Sequence, residues 1–319
     1  MSANEGGVDA TDERRRASGY ALVALAAMGW GTWPLILKRA PMPAALQSAV
    51  LMLVLTVASL PVMLGDRVRA KASRAQWVAI AWLGIGDALN TVLFFGAYQR
   101  TTVAIAVLTH YLTPIFIAIA APFILGESAR VRTFVAVGVA FVGLVLLLEP
   151  WRVGLGRSDI IGAALGAGSA VFYASNVLVN KRLVKVFSGS EMMFFHGLVA
   201  TPLLFALVPP SEYGAVSREA LGVVTLGALG PGALGGLLFV WGLRRIAASH
   251  ASVLTLLEPF VAVLLAAAVL GEPVALVSLA GGALILGGTV LVVTGKPQAE
   301  AVPPTSSDDR PSNGVQSGG

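Results

Sequence analysis

The chain has 319 residues, of which 56% are hydrophobic and only 12% charged; soluble domains carry roughly 25% charged residues, and apolar runs of about 20 residues, long enough to cross a hydrocarbon core, recur along almost the whole length. The net charge of +5 would suit a nucleic-acid partner, but in a membrane chain it reflects basic cytoplasmic loops. Cysteine is absent, which excludes disulfide frameworks, thiolate metal sites and thiol nucleophiles.

Residues 1–18 are polar and are expected to form a disordered tail. Arg14, Arg15 and Arg16 ahead of an apolar run imitate a signal peptide, but the run 19–37 exceeds a typical h-region and has a repeat partner later, so it reads as a retained helix. Further spans are predicted at 44–64, 77–98, 103–124, 131–148, 160–180, 191–208, 221–242, 248–270 and 274–293, followed by a second polar tail at 295–319. This divides the chain into two five-span units, 19–148 and 160–294, joined by an outer linker at 149–159. Ten spans put both tails on one side. With the tails inside, the inner segments hold most of the basic residues, among them Arg67, Arg69, Lys71, Arg130, Arg132, Lys181, Arg182, Arg244 and Arg245. That bias predicts cytoplasmic termini in the cytoplasmic membrane, with lipid as the surrounding partner. Trp77, Trp151 and Trp241 fall near span ends, where indoles favour the interface.

The two units are one design. Residues 98–127 read YQRTTVAIAVLTHYLTPIFIAIAAPFILGE and residues 243–272 read LRRIAASHASVLTLLEPFVAVLLAAAVLGE, so that Pro114 matches Pro259 and Gly126-Glu127 matches Gly271-Glu272. The first spans match as well, Trp30 to Lys38 (WGTWPLILK) against Tyr173 to Lys181 (YASNVLVNK). Five spans is an odd number, so the second unit enters the membrane upside down. The predicted fold is therefore an all-α integral membrane protein of ten helices in two inverted repeats, an arrangement suited to alternating access.

These residues resemble the ten-helix EamA-type branch of the drug/metabolite transporter superfamily. The first helix there tends to read Trp-Gly followed by lysine, as Trp30-Gly31 and Lys38 do, and the fourth and ninth helices carry Pro-x11-Gly-Glu, as both copies do here. The resemblance covers about residues 19–295 and implies a secondary transporter of amino acids, drugs or other small metabolites. Export is an expectation from the family alone. Tyr173-Ala174 departs from the Trp-Gly pattern, so a role given to Trp30 does not carry to the second half.

Ionisable groups at bilayer depth are costly, so each is a functional candidate. In chain order these are Asp87, His110, His196 and Glu258. Asp87, Asn90 and Phe94 share a helix face. Asp87 is either a protonation site, neutral in apolar surroundings and charged when solvated, or a charge paired with a neighbour such as His110. His110 and Thr113 precede Pro114, and their repeat partners Thr255 and Glu258 precede Pro259. Each proline frees the carbonyl four residues earlier, of His110 and of Thr255, and such carbonyls beside polar side chains could hold an amine or an ion; the alternative is a polar contact between helices. Trp30, Trp33, Tyr111, Phe94 and Tyr173 could wall a cavity and meet an amine by cation–π contact, or simply pack. Substrate binding is thus expected at Trp30, Asp87, Asn90, His110, Tyr111, Thr255 and Glu258, with proton coupling through Asp87, Glu258 or His110. Asn176 and Asn180 read as structural hydrogen-bonding groups or substrate contacts. Lys38 with Glu272 at the outer span ends, and Lys181 with Glu127 at the inner ones, read as solvated charges or as alternate latches.

Gly162 with Gly166, and Gly281, Gly282, Gly287 and Gly288, predict close helix packing. Gly230-Pro231-Gly232 interrupts the eighth span and marks a hinge or an opened backbone. No Walker loop, dinucleotide fingerprint or HExxH motif occurs, and no catalytic group, cofactor or metal is expected. A membrane enzyme would need clustered acid and base groups, whereas a passive channel would show flux without counterflow; uptake or exchange by the same fold is the rival to export.

Overall fold

The structure is a computed structural model and describes residues 5–40, 42–65, 71–128, 130–152 and 156–295. The first half consists of α1 (Glu5–Trp30), α2 (Trp33–Arg39), α3 (Ala44–Gly65), α4 (Arg74–Tyr98), α5 (Val103–His110), α6 (Thr113–Leu125) and α7 (Val131–Leu148). The second half consists of α8 (Arg157–Leu183), α9 (Gly189–Ala206), α10 (Arg218–Gly227), α11 (Gly235–Leu243), α12 (Ala248–Leu254), α13 (Leu257–Leu270) and α14 (Leu276–Val293).

Eight spans among the described residues are long and apolar enough to cross a membrane: Ala44–Gly65, Arg74–Tyr98, Val103–Leu125, Val131–Arg152, Arg157–Leu183, Arg218–Leu243, Ala248–Leu270 and Leu276–Val293. The predicted spans at 19–37 and 191–208 are helical but fall outside that set. The first is interrupted at Gly31-Thr32, between α1 and α2. The second, α9, carries Glu191 and His196. The expected disordered tail at 1–18 is also revised, because α1 already begins at Glu5. Acids at Asp12 and Glu13 stand three or four positions ahead of Arg15 and Arg16, a spacing that supports a helix. The C-terminal tail, from residue 296 onward, lies outside the described residues.

Polar caps set the helix starts. Ser73 with Gln76 and Ser188 with Glu191 form capping boxes on α4 and α9, and Thr102 caps α5. The two duplicated segments share one backbone course. Each breaks ahead of its proline, at Tyr111-Leu112 and at Thr255-Leu256, and the proline then sits in the first turn of α6 or α13, where its missing N–H costs nothing. Each ends on a left-handed glycine, Gly126 and Gly271, both at φ 68°. A β-carbon on Gly271 would meet nothing within 4 Å, so the only penalty for a side chain there is conformational. Gly271→Ala should lower the thermal stability of the purified protein by about 1 kcal/mol. Gly138→Ala, in equally open space but on a regular helix, should not lower it.

Packing runs between the halves. α3 packs on α9, α4 on α8, α11 on α1, and α7 on α14, a pairing scheme unchanged when the halves are exchanged. Small residues allow this approach: Gly162 and Gly166 of α8 lie against Thr101 and Thr109, and Gly143 of α7 faces Gly281 of α14 backbone to backbone. The Gly230-Pro231-Gly232 segment does not open the eighth span. It forms a π-helical turn, Ala228–Leu234, that passes α10 into α11 and absorbs the proline by widening the helix.

Candidate functional site

Three helix breaks meet at Glu258. The carboxyl sits in the first turn of α13. At the end of α1, a β-carbon on Gly31 would lie 2.7 Å from the Glu258 carbonyl oxygen and 2.8 Å from Val261 Cβ, so a glycine is needed for α1 to close on that turn. From the α5–α6 break, the buried Tyr111 brings its side chain toward the Glu258 carboxyl. Among the described residues, no lysine or arginine is paired with Glu258.

Asp87 stands midway along α4. Asp87 Oδ2 is 3.2 Å from His196 Nε2, and Asp87 Oδ1 accepts from Asn176 Nδ2 at 3.2 Å. His196 is oriented through Nδ1, 2.7 Å from the Met192 carbonyl. The side chains of Asp87 and His196 keep 26% and 19% of their surface accessible, although they stand midway along α4 and α9. The neighbour paired with Asp87 is thus His196 rather than His110. His110 instead hydrogen-bonds Ser169 Oγ through Nδ1 at 2.8 Å. It stacks on Tyr173 at 5.4 Å and packs against Phe94 at 4.4 Å and Tyr111 at 5.6 Å between ring centroids.

The remaining expected residues are distributed as follows. Asn90 Oδ1 is buried with no hydrogen-bond partner, one turn beyond Asp87. Trp30 packs on Phe239 at 5.4 Å and against Gly235, adjoining the Gly31 contact. Thr255 turns away: it is 3% exposed and donates to the Ser252 carbonyl at 2.7 Å. The carbonyls freed by the prolines are already used. Thr113 Oγ1 donates to the His110 carbonyl at 2.7 Å, and the Glu258 amide donates to the Thr255 carbonyl at 3.0 Å. The breaks therefore aim side chains at the centre rather than bare carbonyls. Sequence reasoning left out His196 as the partner of Asp87, and Ser169 altogether. The signal for His196 was present, since a histidine inside a span is costly unless paired.

Of the suspected gate residues, Glu127 and Lys181 hold the two ends of the α11–α12 connection. Glu127 is 5% exposed, and its carboxylate accepts from the amides of Ala248 at 2.6 Å and Ser249 at 3.3 Å. Lys181 Nζ donates to the carbonyls of Leu243 at 3.0 Å and Ile246 at 2.9 Å. Glu272 is exposed, and the side chain of Lys38 lies outside the described residues. Glu149 closes α7 in a left-handed conformation at φ 46°, accepts from Ser278 Oγ at 2.8 Å and pairs with Arg152.

The candidate groups are thus two carboxyls, Asp87 and Glu258, and a histidine packed among the rings of Phe94, Tyr111 and Tyr173. Such a site is electronegative and π-faced, and it suits a compact cation that brings its own hydrogen-bond donors. Among the described residues, no three of His, Asp and Glu converge as metal ligands.

Comparison with known proteins gives consistent results. The profile of the EamA-like transporter family matches twice, over residues 17–149 and 160–294. An uncharacterized transporter of Archaeoglobus fulgidus is 29% identical over 211 residues, 66% of this chain and 74% of its own length. A second from the same organism is 27% identical over 282 residues, 86% of this chain and 98% of its own. One from Clostridium kluyveri is 24% identical over 216 residues, 66% and 68% of the two chains. A crystal structure superposes with a TM-score of 0.74 at 20% identity, over 87% of this chain and 98% of that one, which is a likeness of fold.

Proposed function

The chain belongs to the EamA-like transporter family, and on that premise we propose that it is a secondary transporter exporting a small amine-bearing metabolite, an amine or amino acid, across the cytoplasmic membrane by alternating access. It is a multi-pass membrane protein and a transporter rather than an enzyme. The observation that carries the substrate class is Glu258, a half-buried carboxyl in the first turn of α13 on which the end of α1 closes at Gly31. An ionised carboxylate held inside a bundle needs a counter-charge, and an ammonium group arriving beside it supplies one. An anionic solute would meet Asp87 and Glu258 with like charge.

The ten-span, inverted arrangement belongs to this reading. Counting α1 with α2, and α9, alongside the eight apolar spans gives five crossings in each half, and the basic inner segments set both termini in the cytoplasm. The pairing of helices between halves supports two bodies that rock about the Glu258 region. Asp87, Glu258 and His110 are the groups through which a proton gradient would couple. Export follows the family resemblance, and uptake or exchange would use the same site.

The test is a thermal-shift screen of the purified protein against amines, amino acids, nucleotides and organic anions, followed by counterflow in proteoliposomes. Primary amines should stabilise the protein, neutral isosteres of equal shape should not, and counterflow should saturate. Stabilisation by organic anions alone would overturn the substrate class. Flux that neither saturates nor shows counterflow would mark a channel. Proton coupling through these groups fails if alanine at Asp87, Glu258 and His110 together leaves gradient dependence unchanged.

A further inference from the structure

Donors and acceptors around Asp87 and His196 balance only if the pair holds a proton. His196 Nδ1 lies 2.7 Å from the Met192 carbonyl, which can only accept, so Nδ1 carries a hydrogen. Nε2 lies 3.2 Å from Asp87 Oδ2. Asp87 Oδ1 already accepts from Asn176 Nδ2 at 3.2 Å. A β-carbon on Gly86 would collide with Asn176, so a glycine is needed for that approach. Lone pairs facing each other between Nε2 and Oδ2 would repel, and a proton placed there removes the repulsion. With that proton the pair is neutral. Without it the pair leaves a net negative charge at bilayer depth, which is costly.

The surroundings offer Asp87 no other counter-charge among the described residues. α4 and α9 pack against each other and chiefly against α3, α5, α8 and α11. α3 and α11 contain no titratable residue. α5 brings only His110, held on Ser169. α8 brings Tyr173, one turn before Asn176, and keeps its charged residues at its two ends. On α9 itself Glu191 is engaged in the capping box with Ser188, and on α4 itself Arg74 and Tyr98 stand at the two ends.

The repeat supplies a comparison within the molecule. Thr56 of α3 and Thr201 of α9 correspond, 145 positions apart, and their hydroxyls meet at 3.3 Å. On the same offset His196 corresponds to Leu51. Ser73 stands 25 positions before Tyr98, whereas Ser217 stands 26 before Leu243. The π-helical turn Ala228–Leu234 takes up the extra residue, and Asp87 corresponds to Pro231-Gly232 within it. There a β-carbon on Gly232 would lie 3.2 Å from Leu51 Cδ1. Asn176 corresponds to Trp33. The same helix crossing is thus made in the other half by apolar groups alone. Because a buried ion pair is often replaceable by apolar residues without loss of stability, packing does not account for the polar version. We propose that Asp87 and His196 form a single proton-binding site, confined to one half of the molecule, through which a proton gradient couples to transport. The proposal rests on the proton-coupled reading above and narrows it to this pair. His196 Nε2 takes a proton from water on one side of the membrane and returns it to water on the other, Asp87 Oδ2 balances the imidazolium, and Asn176 holds Oδ1 in place.

The full chain has three histidines, so protein isotopically labelled in the histidine nitrogens gives three imidazoles by NMR, each assigned by its own glutamine variant. In nanodiscs near neutral pH, His196 should show the shifts of an imidazolium, with hydrogens on both ring nitrogens, and Asp87→Asn should return it to a neutral ring. A neutral His196 in the parent overturns the proton site, and so does an imidazolium that survives Asp87→Asn. In proteoliposomes with lysine as the probe amine, an acid interior should speed uptake over the rate at equal pH, and His196→Gln should bring that ratio to one. A ratio unchanged by His196→Gln refutes the coupling role. Should His196→Gln prevent folding, Asp87→Ala with His196→Leu copies the apolar crossing of the other half and carries the same expectation for the ratio. The NMR measurement needs no substrate, so an imidazolium at 196 without lysine uptake would overturn only the amine reading for which lysine is the probe. Lysine uptake with a neutral ring at 196 would overturn only the proton site.

Discussion

Glu258→Gln abolishes amine binding and counterflow while leaving a folded protein. Glutamine keeps the shape of glutamate, so the close approach of Gly31 to the first turn of α13 is retained and only the charge is lost. Removing one partner of an enclosed charge pair costs about 2–5 kcal/mol, which corresponds to a loss of thirtyfold or more in affinity. The measurement is the concentration of amine needed to raise the melting temperature, together with the initial counterflow rate. Asp159→Asn serves as the control. That carboxylate accepts from Thr101 and Gly156 at the start of α8, away from the centre, and its loss should leave affinity for the amine unchanged. Equal affinity in Glu258→Gln and the parent would remove Glu258 from the site and the amine from the proposed function.

Gly281→Ala separates α7 from α14. A β-carbon at 281 would stand 2.5 Å from the Gly143 carbonyl oxygen and 2.5 Å from the Leu147 amide nitrogen. Both are backbone atoms, so no side chain can swing aside, and the two helices must move apart along a contact that joins the halves. Overpacking of this kind costs about 1–3 kcal/mol, occasionally more, here with the loss of close helix contact added. Gly287→Ala is the matched control on the same helix, with nothing within 4 Å of its β-carbon. Heating each variant and recording the monodisperse fraction by size exclusion should show Gly281→Ala lost well below the parent and Gly287→Ala at or slightly above it, since alanine is the better helix former. Equal melting of the two would mean that the backbone approach contributes nothing.

Much of the architecture was legible because bilayer residence imposes a local rule. A span must be apolar over its whole length and must satisfy its own backbone, so hydropathy alone located Ala44–Gly65, Arg74–Tyr98 and the six other apolar spans to within a few residues. The prolines and Gly-Glu pairs marked where α5–α6 and α12–α13 break and end. α1 and α9 were harder, because charge in α1 and the polar groups Glu191 and His196 in α9 blur the hydropathy signal. The cost of intramembrane charge likewise singled out Asp87, His110 and Glu258 without any knowledge of their neighbours.

Partners were a different matter. That Asp87 meets His196 rather than His110, that Thr255 turns into its own helix, and that Glu127 caps α12 from another helix end all depend on how far each helix is rotated and slid against the next. Hydropathy adds up along a chain and can be read residue by residue. Rotation and offset between helices are settled by backbone approach, as at Gly143 and Gly281, and no single segment encodes them. By itself, then, the sequence determined that the chain crosses a membrane repeatedly, that it is one unit built twice, and which few ionisable groups lie at depth. Only the tertiary structure decided which of those groups meet, because the rotation and offset that bring Asp87 to His196 are set by packing between helices and not within any one of them.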